Sequence, residues 1–363
     1  MIYATIIVFL TLLGYHTMAF SSEKKRTSIG LQELFFEDEQ RVFDQQKRMI
    51  EVTIWYPTQQ ETPVEKINSD IWLIKDAIKN ASLDSTAKLP LIIFSHGYSG
   101  DQWAHTWFAE YFAEHGYIVA IVRHYGNSYP NMIPEICVRP WNRPQDLSFV
   151  LDQLLKHQQF KDNIDTDRIG AAGFSQGGVA CMWLAGVEAH LTRENLKQQI
   201  TMVHNPEYKQ LHFKDISSDR LDQVLDNFTE QDFEQANHSY YDQRFKAVFV
   251  MAPGIDEENI MFTSHGLSQS KIPMHITVGQ SDEGTVEQSI FFSQHISGCT
   301  LTIIPGQVTH WPLLNEGTQE GKLKRPIYTI DHPSVNRKKI HSVTAAQALE
   351  FFNLHLTKNP IKT

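Results

Sequence analysis

The residues best placed by type and spacing to do chemistry lie in Gly173-Phe174-Ser175-Gln176-Gly177, a Gly-x-Ser-x-Gly pattern. Glycine and serine are common enough that this pattern arises by chance in about one chain in ten of this length, so its flanks decide its meaning. Residues 165–172 read as a turn feeding a short buried strand, and 178–186 read as a helix packed tightly at its start. At such a strand-to-helix turn a serine takes a strained backbone conformation, and its hydroxyl stands exposed at the positive end of the next helix. The glycines then let neighbouring backbone approach without a Cβ clash.

A serine hydroxyl attacks a carbonyl only if a base takes its proton and a third group orients that base. At such an elbow the chain order to look for is serine, acid, histidine. Of the seventeen histidines, His310 alone lies both beyond a late strand and in a turn-prone loop, Pro305 to Trp311. It is the expected general base; His341 and His355 read as packing or surface residues near the final helix. Asp282, after the strand Met274 to Gly279, is the expected acid. Glu283 beside it and Asp256 after the preceding strand are its rivals. The tetrahedral intermediate needs donors aimed at its oxyanion. The expected pair is the backbone N–H of Gln176 and that of Tyr98, in the loop after Phe94-Ser95-His96-Gly97. His96 itself reads as a brace for that loop.

These residues need a scaffold that brings distant loops to one edge. Residues 30–58 read as an N-terminal β-hairpin, and 59–88 as a polar surface excursion with a short helix near Asp70 to Lys79. Leu89 to Ser95, Tyr117 to Val122, Phe245 to Pro253, Met274 to Gly279 and Cys299 to Ile304 read as strands. Helices are expected over 101–115, 146–157 and 343–356. The aromatic residues Trp103, Trp107, Phe108 and Phe112 sit at helical spacing and read as core. Strands alternating with helices imply an α/β fold with a doubly wound, mostly parallel sheet, whose ligands bind at the carboxyl ends of the strands. Residues 187–243 interrupt this pattern. They are polar and helix-prone, too long for a plain connection, and read as an inserted helical cap that would set the substrate; the bland alternative is a solvated excursion.

The 363 residues are 41% apolar and 20% charged, which describes a globular chain. A formal charge of −10 argues against a nucleic-acid partner, which would need a basic footprint. Cys137, Cys181 and Cys299 match no zinc or redox spacing. Cys181 reads as a buried core thiol, and Cys137 and Cys299 as a pair that an oxidising compartment would allow to bridge. No metal or other cofactor is expected. Near the N-terminus the apolar run of residues 6–13 precedes Thr17-Met18-Ala19, a small-residue cleavage site, so 1–19 read as a signal peptide and 27–363 as the domain. Lys24-Lys25-Arg26 follows the run instead of preceding it, and an uncleaved membrane anchor is the alternative to export.

Phe94-Ser95-His96-Gly97-Tyr98, the helix start Arg143-Pro144-Gln145-Asp146-Leu147, and Gly173-Phe174-Ser175-Gln176-Gly177-Gly178 resemble the α/β-hydrolase superfamily. Within it they are most similar to the platelet-activating-factor acetylhydrolase and dienelactone-hydrolase-like branch, as is the strand end Trp55-Tyr56-Pro57. The resemblance spans residues 45–357 apart from the insertion. It implies serine esterase chemistry on a small-molecule or lipid ester, with Ser175, Asp282 and His310 as triad and the Tyr98 and Gln176 amides as oxyanion hole. Three departures stand out. Acetylhydrolases carry their acid where this chain has Ala252-Pro253, dienelactone hydrolases use cysteine where it has Ser175, and Phe174 replaces a histidine common in this branch. The competing readings are a hydrolase-fold protein that binds without turnover, a phospholipase or acetylhydrolase acting at membrane lipids, and a lipid binder anchored by its N-terminus. In the lipid readings the cap or the N-terminus would touch the membrane.

Overall fold

A computed structural model describes residues 28–83, 87–196, 218–254 and 261–357. The signal-like residues 1–19 and the rival acid Asp256 lie outside them.

The apolar runs become the strands of one sheet. In chain order these are β1 (Ser28–Phe43), β2 (Gln46–Thr58), β3 (Ile78–Lys79), β4 (Leu89–Ser95), β5 (Ile118–Arg123), β8 (Ile164–Phe174), β9 (Phe245–Met251), β10 (Met274–Gly279) and β11 (Thr300–Ile304). A two-stranded ribbon, β6 (Asn127–Ser128) and β7 (Asn131–Met132), stands apart. The spatial order is β11-β10-β9-β8-β4-β5-β2-β1-β3. From β5 to β11 every pairing is parallel, whereas β2 runs antiparallel to both β5 and β1.

Side-chain alternation divides the core in two. Ile92 and Phe94 join the cluster of Phe108 and Phe112 from helix α1 (Thr106–Glu114) and Phe352 from the C-terminal helix Arg337–His355. Leu91 and Ile93 join the opposite cluster, with Leu147 and Leu151 of a second helix and Val179 and Trp183 of a third. Strands buried on both faces read as continuous apolar runs, which is why β4 and β10 could be bounded from sequence. The chain moves from β4 outward to β5 and then returns to place β8 on the other side of β4. The order reverses between β4 and β8, and that switch point opens a crevice at the strands' carboxyl ends.

Two expectations need correction, and one open question, the pairing of Cys137 with Cys299, is answered. Asp70 to Lys79 is not a helix. Ser69 Oγ accepts the amides of Ile71 and Trp72 at 3.3 and 3.0 Å, Trp72 bridges Gly317, and β3 adds to the sheet beside β1. Backbone pairing to distant segments outweighs local helix preference there. The helix expected from 101 begins only at Thr106, because Asp101 folds back to accept the Trp103 amide at 2.8 Å. Cys137 and Cys299 do not pair. Cys137 is buried and donates to the Gly126 carbonyl, while Cys299 precedes the edge strand β11; both are free.

Of the insertion 187–243, the described residues include helices Ser218–Asp226 and Glu230–Ala236. Leu225, Phe228 and Phe233 pack into the first core cluster, and Arg139 pairs with Asp232 at 2.6 Å. No helix among the described residues is long and apolar enough to cross a membrane.

Candidate active site

Ser175 follows β8 and precedes helix α4 (Gln176–Leu184, numbered after α2, Pro134–Cys137, and α3, Asn142–Leu154), with φ 54° and ψ −126°. A non-glycine residue held there costs roughly 1–3 kcal/mol, which the surroundings must offset. The flanking glycines explain how. A Cβ on Gly177 would lie 2.1 Å from the Ser95 carbonyl oxygen, and one on Gly173 would lie 2.3 Å from the Gly177 oxygen. The elbow is thus wedged against the end of β4, while the Ser175 amide donates to the Met251 carbonyl at 2.9 Å. The serine is half-buried at the switch point, and a Cβ on Gly97 would be 3.3 Å from the Ser175 Cβ. The loop carrying Tyr98 therefore starts against Ser175. The Gln176 amide, first in α4, has no intrahelical acceptor.

His310 and Asp282 come together. His310 Nδ1 lies 2.8 Å from Asp282 Oδ2, and the Asp282 side chain is 6% exposed. A carboxylate only accepts, so Nδ1 carries the proton and Nε2 presents its lone pair. The His310 ring packs on Phe174, the residue before the serine, with centroids 4.5 Å apart. Glu283 is exposed. At the acetylhydrolase acid position Ala252 offers only a backbone kink, with φ 44° and its amide donating to Thr277 O at 2.7 Å.

The loops bearing the acid and the base are tied to each other. The Ser281 amide donates to Val308 O at 2.9 Å, the Gln280 amide to Ile304 O at 2.9 Å, and the Gly306 amide to Gln280 Oε1 at 2.8 Å. Beyond His310, buried Asn315 accepts the Trp107 amide at 3.0 Å and donates to Trp103 O and Thr106 Oγ1, both at 2.7 Å. His341 stacks on Trp107 at 4.3 Å and donates from Nε2 to the Pro312 and Leu314 carbonyls. His341 and Arg337, which donates to the Asn315 carbonyl at 2.8 Å, thus tie the turn after His310 to the final helix. Burial, with the nearby Arg337 charge, pushes His341 down to about 4.

Residues 72–132, which contain the His96-Gly97-Tyr98 loop, match the family model described as platelet-activating factor acetylhydrolase, isoform II. A ferulic acid esterase from Streptomyces cinnamoneus superposes with a TM-score of 0.59 over 94% of this chain and 94% of its own, at 17% identity. This is an α/β-hydrolase fold. A dienelactone hydrolase from Anabaena variabilis is similar over 90% of this chain and 99% of its own, at 14% identity and a TM-score of 0.46. Among curated proteins no sequence matches.

In this hydrolase fold the crevice is backed by a buried polar layer that sequence reasoning missed. His124 Nδ1 donates to Asp146 Oδ2 at 2.9 Å, and its Nε2 accepts the Ser95 hydroxyl at 2.8 Å. Arg41 and Arg48 hold the same Asp146 at 2.8 and 3.2 Å, and with His124 they keep its carboxyl well below the usual carboxylate range despite burial. Burial and the Arg143 charge push His124 down to about 4. His96, expected as a brace, acts as one. Its Nδ1 donates to Gly97 O at 2.7 Å and its Nε2 accepts from Ser128 Oγ at 2.7 Å. The available signal was the Arg-Pro-x-Asp at the start of α3, two charged residues in a turn that is otherwise buried.

Beside the Tyr98 loop opens a cavity of about 470 Å³, lined by Trp72, Tyr98, Tyr129, Phe174, Trp311 and Tyr328 among others. Among the described residues, none of 187–243 lines it.

Proposed function

We propose that this chain is a serine hydrolase of carboxylic esters working through an acyl-enzyme. The backbone of Ser175 carries this reading: a serine at φ 54°, at the switch point of an α/β-hydrolase sheet, beside a loop whose histidine donates to a buried aspartate. Ser175 Oγ attacks the ester carbon as its proton passes to His310 Nε2, and the carbonyl oxygen becomes the oxyanion held by the Tyr98 and Gln176 amides. Collapse breaks the ester C–O bond, and the leaving alkoxide takes the proton from His310. Water then attacks the acyl carbon as its proton passes to His310, the acyl–Oγ bond breaks to release the carboxylic acid, and His310 returns the proton to Ser175 Oγ. Asp282 holds the imidazole tautomer and faces the positive charge that forms on it.

The aromatic walls of the cavity suit an apolar or aromatic part of the ester, and about 470 Å³ is room for a small-molecule ligand. The name of the ferulic acid esterase among the similar structures agrees with an aromatic ester. A lipid ester fits the same walls. Export after cleavage at residues 1–19, and membrane contact through the N-terminus or the insertion, belong to the same proposal and rest on sequence.

Hydrolysis of a p-nitrophenyl ester series by the wild type and by Ser175→Ala tests the reading. The wild type should turn over at least one acyl length, and Ser175→Ala should lose about 10⁴- to 10⁶-fold in kcat. Equal inertness of the two proteins across all acyl lengths would favour the alternative, a hydrolase fold that binds without turnover.

A further inference from the structure

Arg143 is 1% exposed and lies under the crevice, in the first turn of α3. Its guanidinium donates mainly to backbone. Nη1 reaches the His96 carbonyl, and Nη2 reaches the Gly97 carbonyl at 3.0 Å and the Asn127 carbonyl at 3.3 Å. Nη2 also donates to Asn127 Oδ1 at 3.1 Å, and Asn127 Nδ2 donates onward to Gln176 Oε1 at 3.1 Å. The neighbouring carboxylate, Asp146, is committed to Arg41, Arg48 and His124.

The carbonyls that Arg143 grips belong to the peptides whose other ends matter. In a planar trans peptide the C=O and the N–H point in opposite directions. Gripping the Gly97 oxygen therefore turns the Tyr98 N–H away from Arg143, and gripping the His96 oxygen does the same for the Gly97 N–H. His96 Nδ1 reinforces the first grip by donating to the same Gly97 oxygen at 2.7 Å. Through Asn127 the same guanidinium is joined to the side chain of Gln176, the other donor residue. One buried group thus reaches both sides of the place where an oxyanion would form.

We propose that Arg143 is the positioning residue of the oxyanion hole: through the His96 and Gly97 carbonyls and Asn127 it fixes the direction of the Tyr98 N–H relative to that of Gln176. The proposal rests on the ester-hydrolase reading above. Charge bookkeeping supports it. The buried layer holds three guanidiniums, Arg41, Arg48 and Arg143, against two carboxylates, Asp38 and Asp146. Among the described residues Arg143 makes no direct ion pair with a carboxylate, and burial pushes it down to about 10 even though the charge of Asp146 acts in the opposite direction. A negative charge developing one peptide unit away is the partner that the resting protein lacks. The group stays protonated at neutral pH, so this positive field is permanent.

The test compares oxo-esters with matched thiono-esters, in which sulfur replaces the carbonyl oxygen and is a poor acceptor for amide donors. Arg143→Gln should lower kcat on the oxo-ester by about 10²-fold, the scale of a small misplacement in a site, with KM changed by less than about threefold. Its thiono-ester rate should fall much less, so the oxo-to-thiono ratio collapses. Arg143→Lys keeps the charge but cannot span both carbonyls, and should lie between. Should Arg143→Gln fail to fold, Asn127→Ala removes the link to Gln176 with the Asn127 Oδ1 contacts to Arg143 and the Ser99 amide, leaves the grip on the His96 and Gly97 carbonyls, and should show the same ratio change at about a tenth of the size. Rates are normalised to the phosphonate-titrated serine. A ratio equal to wild type in Arg143→Gln, or in Asn127→Ala where that variant is the one that folds, overturns the proposal and leaves Arg143 a structural brace. A wild type that neither turns over esters nor takes up phosphonate instead overturns the hydrolase reading itself.

Discussion

Ser175 and His310, the proposed nucleophile and base, reach the same sheet edge on loops held by different physics. On the nucleophile side, Ser175 and the Tyr98 loop rest on a buried charged layer in which Arg143, His124, Asp146, Arg41 and Arg48 share hydrogen bonds. On the base side, Asp282 and His310 are tied by backbone hydrogen bonds between their own loops, and the turn after His310 is held by Asn315, Trp107 and His341 and by Arg337, which donates to the Asn315 carbonyl at 2.8 Å. The difference follows from what each side must do. In the proposed reaction Ser175 and the Tyr98 and Gln176 amides must meet a charge that appears only during turnover, so a fixed field in a dry layer would help them. On the other side the His310 imidazole donates to Asp282, while the Arg337–Asp331 pair braces the following turn from the final helix, its guanidinium donating to the Asn315 carbonyl and not to the imidazole.

The largest effect should come from the carboxylate to which His310 donates. Asp282→Asn should lower kcat by about 10⁴-fold while leaving the fold intact, because the amide favours the wrong imidazole tautomer. Glu283→Gln, whose side chain is exposed, should stay within about twofold. Ester kinetics on both variants decide this, and equal losses would remove the distinction between the two carboxylates.

A smaller effect tests the hold on the turn after His310. Asn315→Ala leaves the Trp107 amide and the Thr106 hydroxyl without their partner, and should cost about 1–3 kcal/mol in urea unfolding. Its kcat should fall much less than that of Asp282→Asn, because the triad itself is untouched. A change below about 0.5 kcal/mol would mean that Asn315 does not hold the base loop.

The smallest effect per residue is a dependence on acid. Burial lowers His341 and His124 to about 4 and His105 to about 3, from an ordinary 6.5. Below pH 6.5 the unfolded chain therefore takes up protons that the folded protein refuses. Stability falls as the pH drops towards 4, by up to about 1.4 kcal/mol per pH unit for each such histidine. Urea midpoints between pH 7 and 5 should show that slope, and His341→Gln should lose one histidine's share of it. An unchanged slope would contradict a neutral, buried His341.

Much of this arrangement was legible in the sequence, and the rest was hidden for physical reasons. Strands β4 and β10 begin and end where their apolar runs do, and the elbow, Asp282 and His310 follow from their places at strand ends. The loop-bound geometry of 70–79 was hidden because its partners, Gly317 and β1, are remote in sequence. The charged layer was hidden for the same reason. Its members come from positions 41, 48, 124, 143 and 146, and only the fold makes them neighbours. The cavity walls were hidden as well, since the aromatic side chains that line it come from 72, 98, 129, 174, 311 and 328.

The central claim is that Ser175 is a nucleophile activated by His310, and reaction with a fluorophosphonate tests it most directly. Intact-mass and peptide analysis should find one phosphonyl adduct per chain, on Ser175, absent in Ser175→Ala and formed far more slowly in His310→Ala. An unmodified wild type, or an adduct on any other residue, would contradict the account.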